Sequence, residues 1–165
     1  MSRLDSFIRR LQAQRACLDR AAMLIRDLEG PVLELGLGNG RTYDHLRERL
    51  PGRTIFVFDR QIAAHPDSVP PDDCLLIGDL RETIPLAADR FGRCAALIHA
   101  DIGSGDAAAN RTLVAGLAPY LVRILRPGGL LASDQPMPET SALTALPLPR
   151  RVHAGRYHLY RREPD

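Results

Sequence analysis

The residues best suited to chemistry stand at the ends of short apolar runs. Val32-Leu33-Glu34-Leu35 leads into Gly36-Leu37-Gly38-Asn39-Gly40, and Arg41-Thr42 then open a helical pattern. Further runs end in Asp59-Arg60, Gly78-Asp79-Leu80, His99-Ala100-Asp101 and Asp134-Gln135. Glycines carry no Cβ, so such a turn can take φ > 0 and a ligand can approach its backbone closely. The helix that follows offers free N–H groups and a partial positive charge to whatever occupies the turn. The pattern is that of a small-molecule cradle on an α/β sheet.

Several occupants compete for such a cradle. A P-loop needs G-x-x-x-x-G-K-[ST]; the interval from Gly36 to Gly40 is one residue short, and Arg41 stands where the lysine belongs. A dinucleotide site prefers G-x-G-x-x-G with an acid about 20 residues on; Asp59 supplies the acid, but Gly40 comes one position early. Glu34 decides the sign of the preferred charge. Two unit charges about 6 Å apart at an effective dielectric near 20 interact by roughly 3 kcal/mol. A carboxylate there repels a pyrophosphate and attracts an ammonium or a sulfonium. In the structural alternative the glycines only let a helix pack on a strand. Acids at consecutive strand ends, where open α/β sheets bind ligands, weigh against it.

The elements that must position these groups follow from periodicity. Leu4, Phe7, Ile8 and Leu11, continued by Leu18, Ala21, Ala22, Ile25 and Leu28, predict one long or two short amino-terminal helices ended by Gly30-Pro31. Ser2 and Asp5 resemble a capping box. Strands are expected over 32–35, 54–59, 74–79, 94–101 and 130–134. Helices are expected over 42–50, near 86–91 because Pro85 limits that segment, and over 106–125 with a kink near Gly116 or Pro119. Pro127-Gly128-Gly129 reads as a turn, and residues 151–153 and 157–160 as a hairpin around Ala154-Gly155-Arg156. Alternating βα units ending in an antiparallel pair predict a doubly wound, mostly parallel seven-stranded sheet with helices on both faces. The chain is expected to be a single domain over 1–165, with a helical cap at 1–30 and the core sheet at 31–162.

Taken together, these segments resemble the class I S-adenosylmethionine-dependent methyltransferases. Glu34-Leu35-Gly36-Leu37-Gly38-Asn39-Gly40 is similar to that family's E/D-x-G-x-G-x-G motif, and Phe58-Asp59-Arg60 to the acidic end of its second strand. Gly78-Asp79-Leu80 resembles its third-strand segment, and Leu125-Arg126-Pro127-Gly128-Gly129-Leu130 its L-x-P-G-G turn. The resemblance spans about residues 28–160, with the four motifs in the family's order. It implies that Glu34 meets the amino group of S-adenosylmethionine and Gly36 to Gly40 its methionyl part, with Thr42 near the carboxylate. It further places the ribose at Asp59-Arg60 and the adenine region at Gly78, Asp79 and Leu80. Asp101 belongs to the expected cofactor set as well. S-adenosylhomocysteine is the implied product.

Methyl transfer requires an acceptor held about 3–3.5 Å from the methyl and, for many acceptors, a group that takes its proton. The family places such groups after its fourth strand, where His99 and Asp101 lie two apart and share a face. They are the candidate catalytic pair; the bland alternative has Asp101 capping the next turn and His99 hydrogen-bonded in the sheet. The [DN]-P-P-[YF] box of amino-group methyltransferases is absent. Asp101 with Asp134-Gln135 faintly resembles the metal site of catechol-type enzymes, but the catalytic lysine of those enzymes has no counterpart. No metal is therefore expected, and Asp134 is read as building a loop turn.

The whole-chain properties narrow the partners. Net charge is +2, lysine is absent, and acids are interspersed among the arginines, so a nucleic-acid footprint is missing. No apolar run approaches the roughly 20 residues of a membrane span. Three scattered cysteines, Cys17, Cys74 and Cys94, suit a reducing cytoplasm. The expectation is a cytoplasmic methyltransferase for a small-molecule acceptor, modifying an O or N atom. A homodimer could supply a missing pocket wall. A non-catalytic S-adenosylmethionine-binding module and an NAD(P)-dependent oxidoreductase are the rivals.

Overall fold

The computed structural model describes residues 2–164. Helix α1 (Arg3–Leu24) begins with the capping box: Asp5 N–H donates to Ser2 Oγ at 3.0 Å, and Ser2 N–H donates to Asp5 Oδ2 at 3.1 Å. It is one helix rather than two. Its second half buries Ala13, Gln14, Cys17, Leu18, Ala21 and Ala22, whereas Leu4, Phe7 and Ile8 of the first half are exposed. Past its end, Arg53 donates to the carbonyls of Ile25, Leu28 and Gly30 at 3.1, 2.6 and 2.9 Å. That guanidinium satisfies backbone acceptors that leaving the helix strands.

The remaining elements are β1 (Val32–Leu35), α2 (Arg41–Arg49), β2 (Ile55–Asp59), β3 (Leu75–Ile77), α3 (Leu80–Phe91) and β4 (Ala95–Ala100). After them come α4 (Ala107–Ile124), β5 (Leu125–Ser133), β6 (Leu143–Ala145) and β7 (His158–Arg162). The sheet order is β3-β2-β1-β4-β5-β7-β6; the first five strands are parallel, and β7 runs antiparallel to both β5 and β6. Strand order reverses between β1 and β4, which is where such sheets open a ligand crevice. Alternation along the strands divides the core. Val32, Val57, Leu97 and Leu130 pack with Leu18 of α1, with Ile25 just past its end and with Leu46 of α2; Leu33, Leu35, Phe58 and Ile98 pack with Ile84, Leu117 and Leu121 from α3 and α4. Helices thus cover both faces. No helix among the described residues is long and apolar enough to cross a membrane.

Three local expectations are corrected. Helix α3 starts at Leu80, not near 86, and carries Pro85 inside it. The missing N–H deprives the exposed first turn, while the Asp79 cap (Oδ1 accepting Arg81 N–H at 2.9 Å) and buried Ile84, Ala87 and Ala88 hold the helix together. Pro127-Gly128-Gly129 lies within β5 as an irregularity: the register steps from Ala95 opposite Leu125 to Leu97 opposite Leu130. The tail hairpin pairs β7 with Leu143–Ala145 rather than with 151–153. Arg151 sits at φ +74, a left-handed conformation that no strand accommodates. Helix α4 runs as one element through Gly116 and Pro119.

Candidate active site

The crevice is assembled at the carboxyl ends of β1, β2 and β4. Gly36 leaves β1 at φ +92, and a Cβ there would lie 2.6 Å from the Asp101 carbonyl oxygen; only glycine lets the turn pass so close to β4. Gly40 precedes α2 at φ +85, where a Cβ would stand 2.5 Å from Ser68 Cβ. Between them, Leu37 and Gly38 donate their N–H groups to Asp59 Oδ2 at 2.8 and 3.0 Å. The acid at the end of β2 therefore shapes the glycine turn directly. With its amide oriented to satisfy both groups, Asn39 offers its oxygen to Arg41 Nε at 3.1 Å.

A cavity of about 660 Å³ opens here, lined by Gly36, Leu37, Gly38, Asn39, Thr42, Asp59, Arg60, Asp79, Leu80 and Asp101 among the residues singled out in the sequence. Glu34, Gly40, Gly78 and His99 of the same set stand behind that lining. Phe7, Arg10, Leu11 and Gln14 form its roof, one face of α1 at helical spacing. Gln14 was not legible as a site residue; its only signal is a polar side chain in phase with the apolar stripe. Ile102, Ser104, Asn110 and Leu113 complete the wall beyond β4.

Charge is distributed unevenly along the cavity. At one end Asp79 receives Arg60 Nη2 at 2.9 Å, and the Arg81 N–H together with both guanidiniums holds its carboxyl below the ordinary range. At the other end Asp101 receives Gln14 Nε2 at 2.9 Å on Oδ2 and Arg10 Nη1 at 3.3 Å on Oδ1. Asp134 accepts the N–H groups of Ile102 and Gly103 at 3.1 and 2.9 Å, fixing the loop after β4. Burial pushes its carboxyl up, against the hydrogen bonds from Gln135 and those two amides. Each oxygen of Asp101 and Asp134 thus meets at least one protein donor. Among the described residues no cluster of three or more His, Cys, Asp or Glu side chains could hold a metal ion.

Behind the turn lies a wholly buried polar group. Glu34 and His99 are registered neighbours on β1 and β4 and point to the same face. Glu34 Oε2 meets His99 Nδ1 at 2.6 Å, Glu34 Oε1 accepts the Thr42 hydroxyl, and His99 Nε2 meets the Tyr157 hydroxyl. Burial alone would push the imidazole down; the adjoining Glu34 carboxylate outweighs it and holds His99 above its ordinary range. Burial, reinforced by the nearby Asp101 carboxylate, pushes the Tyr157 phenol well up.

Fold and crevice together define a Rossmann-like protein that binds a nucleotide-type molecule at its switch point. A family model described as S-adenosyl-L-methionine methyltransferase matches residues 1–162, and the chain belongs to that family. It is 48% identical to an S-adenosyl-L-methionine methyl transferase of known structure from Silicibacter pomeroyi DSS-3, with 98% of this chain and 99% of that one covered at a TM-score of 0.92. More distant likenesses share the fold. Human methyltransferase-like protein 13, solved with S-adenosylhomocysteine, is 15% identical, at a TM-score of 0.60 over 91% of this chain and 78% of that one. MycE of the mycinamycin biosynthetic pathway, solved with Mg and S-adenosylhomocysteine, is 17% identical, at 0.58 over 88% of this chain and 44% of that one. No curated protein matches the chain.

The protein is thus an S-adenosylmethionine-dependent methyltransferase, and its residues fit that cofactor. The cavity has the volume of a small-molecule site, within the usual range of roughly 300–1,000 Å³. Gly38 has open space where a side chain would stand, and Asp59 lines the same wall.

Proposed function

We propose that the protein methylates an oxygen or nitrogen atom of a small molecule, with Asp101 as the group that faces the acceptor. Asp59 and the glycine turn would hold the ribose and methionyl parts of the cofactor, Asp79 and Leu80 its adenine region. Bound there, S-adenosylmethionine supplies a methyl carbon activated by its sulfonium and leaves as S-adenosylhomocysteine with the electrons of the broken C–S bond. Asp101 accepts the proton that the acceptor releases as it gains the methyl. The observation that carries this reading is the position of the Asp101 side chain. It lines the cavity next to the glycine turn, under the α1 roof, and Arg10 and Gln14 hold it there. A carboxylate has about four lone-pair sites, so two donors leave it able to take a proton. The roof also limits the acceptor to a small molecule. Glu34 supports the turn from behind, through Thr42, instead of touching a ligand.

The test is transfer of tritium from methyl-labelled S-adenosylmethionine into a low-mass cell extract. Label should enter the small-molecule fraction with the wild type and fall at least about tenfold with Asp101→Asn, the order of effect of a general base. S-adenosylhomocysteine should still bind that variant in calorimetry. Label found only in protein or nucleic acid contradicts the reading.

A further inference from the structure

Four arginines line the cavity, and three of them are committed elsewhere. Arg60 and Arg81 reach Asp79 at 2.9 and 3.5 Å, and Arg41 Nε holds the Asn39 amide oxygen at 3.1 Å. Arg10 of the α1 roof differs. Among the described residues its guanidinium makes one hydrogen bond, from Nη1 to Asp101 Oδ1 at 3.3 Å, which is long for a pair of charged groups. The side chain stays 42% exposed, and its guanidinium stands 5.7 Å from the centre of the Phe7 ring. That contact restrains the cation while leaving most of its N–H donors without a partner.

A planar cation with spare donors matches a planar anion: a guanidinium binds a carboxylate through two parallel N–H···O bonds. Charge separates a carboxylate from a phosphate dianion. Asp101 stands beside Arg10, and Asp134 holds the loop that follows through the Ile102 and Gly103 amides. One guanidinium among two acids accommodates a single negative charge better than two. The surroundings define the rest of the molecule. Phe7 and Leu11 stand on either side of Arg10 in α1, and Ile102 and Leu113 line the wall beyond β4. The protein itself leaves Phe7 44% exposed. Those four side chains suit an apolar or aromatic body.

We propose that Arg10 determines specificity, and that the acceptor is a small apolar or aromatic carboxylic acid whose carboxylate Arg10 binds. This rests on Asp101 being the acceptor-facing group. The hydroxyl or amine that gains the methyl lies near the carboxylate in such a molecule, because Arg10 and Asp101 are themselves neighbours. Binding then prepares the base. The carboxylate of the acceptor draws Nη1 away from Asp101 Oδ1, while Gln14 keeps Oδ2 at 2.9 Å and the side chain in place. The freed Oδ1 takes the acceptor's proton as the acceptor's O or N bonds to the methyl carbon and the C–S bond breaks. An uncharged molecule of the same shape leaves Arg10 on Asp101 and reacts slowly.

The experiment follows the labelled methyl group into the low-mass extract and identifies the charge of the molecule that carries it. With the wild type, the labelled product should be retained on an anion exchanger. Retention should survive alkaline phosphatase and be lost after carbodiimide coupling to methylamine, which turns carboxylates into neutral amides. In Arg10→Met, which keeps an apolar stem without the charge, the amount of extract giving half the maximal rate should rise at least about tenfold. Its affinity for S-adenosylhomocysteine should stay that of the wild type. A small-molecule product that the exchanger does not retain, or whose retention survives the coupling, overturns the proposal. If its label still falls with Asp101→Asn, the acceptor reading stands without it. Arg10→Met with wild-type saturation also overturns the proposal, and so does weakened S-adenosylhomocysteine binding, which assigns Arg10 to the cofactor. A wild type that labels no small molecule refutes the acceptor reading, and the proposal falls with it.

Discussion

The two halves of the crevice are built differently. On the β1-β2-β3 side, each ligand-facing group sits at the end of its own strand, and the contacts join near neighbours in the sheet: Asp59 to Leu37 and Gly38, Asp79 to Arg60 and Arg81. On the β4 side, Asp101 is held by α1, 87 and 91 residues away in the chain, and the buried contacts of His99 in the same strand span 58 and 65 residues. The first half follows from local chain geometry. The second exists only when the amino-terminal helix and the last strand have docked. On the proposed assignment, cofactor recognition should outlast damage to the acceptor half, whereas the acceptor half should depend on the whole fold.

The largest blow to that contrast falls on Glu34. Glu34→Ala leaves His99 buried without its counter-charge, and breaking such a pair typically costs 3–5 kcal/mol. Urea unfolding should show a loss of about that size, while any protein that remains folded still binds S-adenosylhomocysteine. Stability near the wild-type value would mean that Glu34 serves the ligand and not the core. Asp59→Ala should do the reverse. It removes the acceptor for the Leu37 and Gly38 amides and a cavity wall, so calorimetry should show S-adenosylhomocysteine weakened by about 1–3 kcal/mol. Unchanged affinity would dissolve the distinction between the halves.

The smallest and most selective effect is in pH. His99 is held above its unfolded range, near 6.5, so its charged form is favoured by folding. That stabilisation is fully present below the unfolded pKa and is lost as pH rises through the higher folded value. The urea midpoint of the wild type relative to His99→Gln should therefore be greatest in mild acid and narrow above neutrality. A gap that widens with rising pH would show that the imidazole is neutral in the fold.

Much of the cofactor half was legible in the sequence because its signals are local. Strand β1 has the expected limits, α2 and β2 lie within a residue of theirs, and Asp59 and Asp79 sit where apolar runs end. In the acceptor half only Asp101, singled out after the fourth strand, lines the cavity as its position suggested. Glu34 and His99 read as ligand-facing groups because a one-dimensional pattern shows that they share a face with their neighbours, but not which face the cavity opens on. The roof residues Arg10 and Gln14 carry no motif, and Tyr157 lies in a segment whose pairing was misread. The same limit explains Pro85: a breaker is visible in the sequence, and the packing on α4 that overrides it is not.

By itself, then, the sequence determined the order of βα units, the glycine turn and the acids that accompany it. Those are set by apolar periodicity, by glycine's freedom at φ > 0 and by charge. Only the tertiary structure decided that Glu34 turns inward to His99, that α1 closes over Asp101, and that Tyr157 joins them. Each of those contacts joins residues far apart in the chain, and their partners are chosen by strand register and helix docking, which no local pattern encodes.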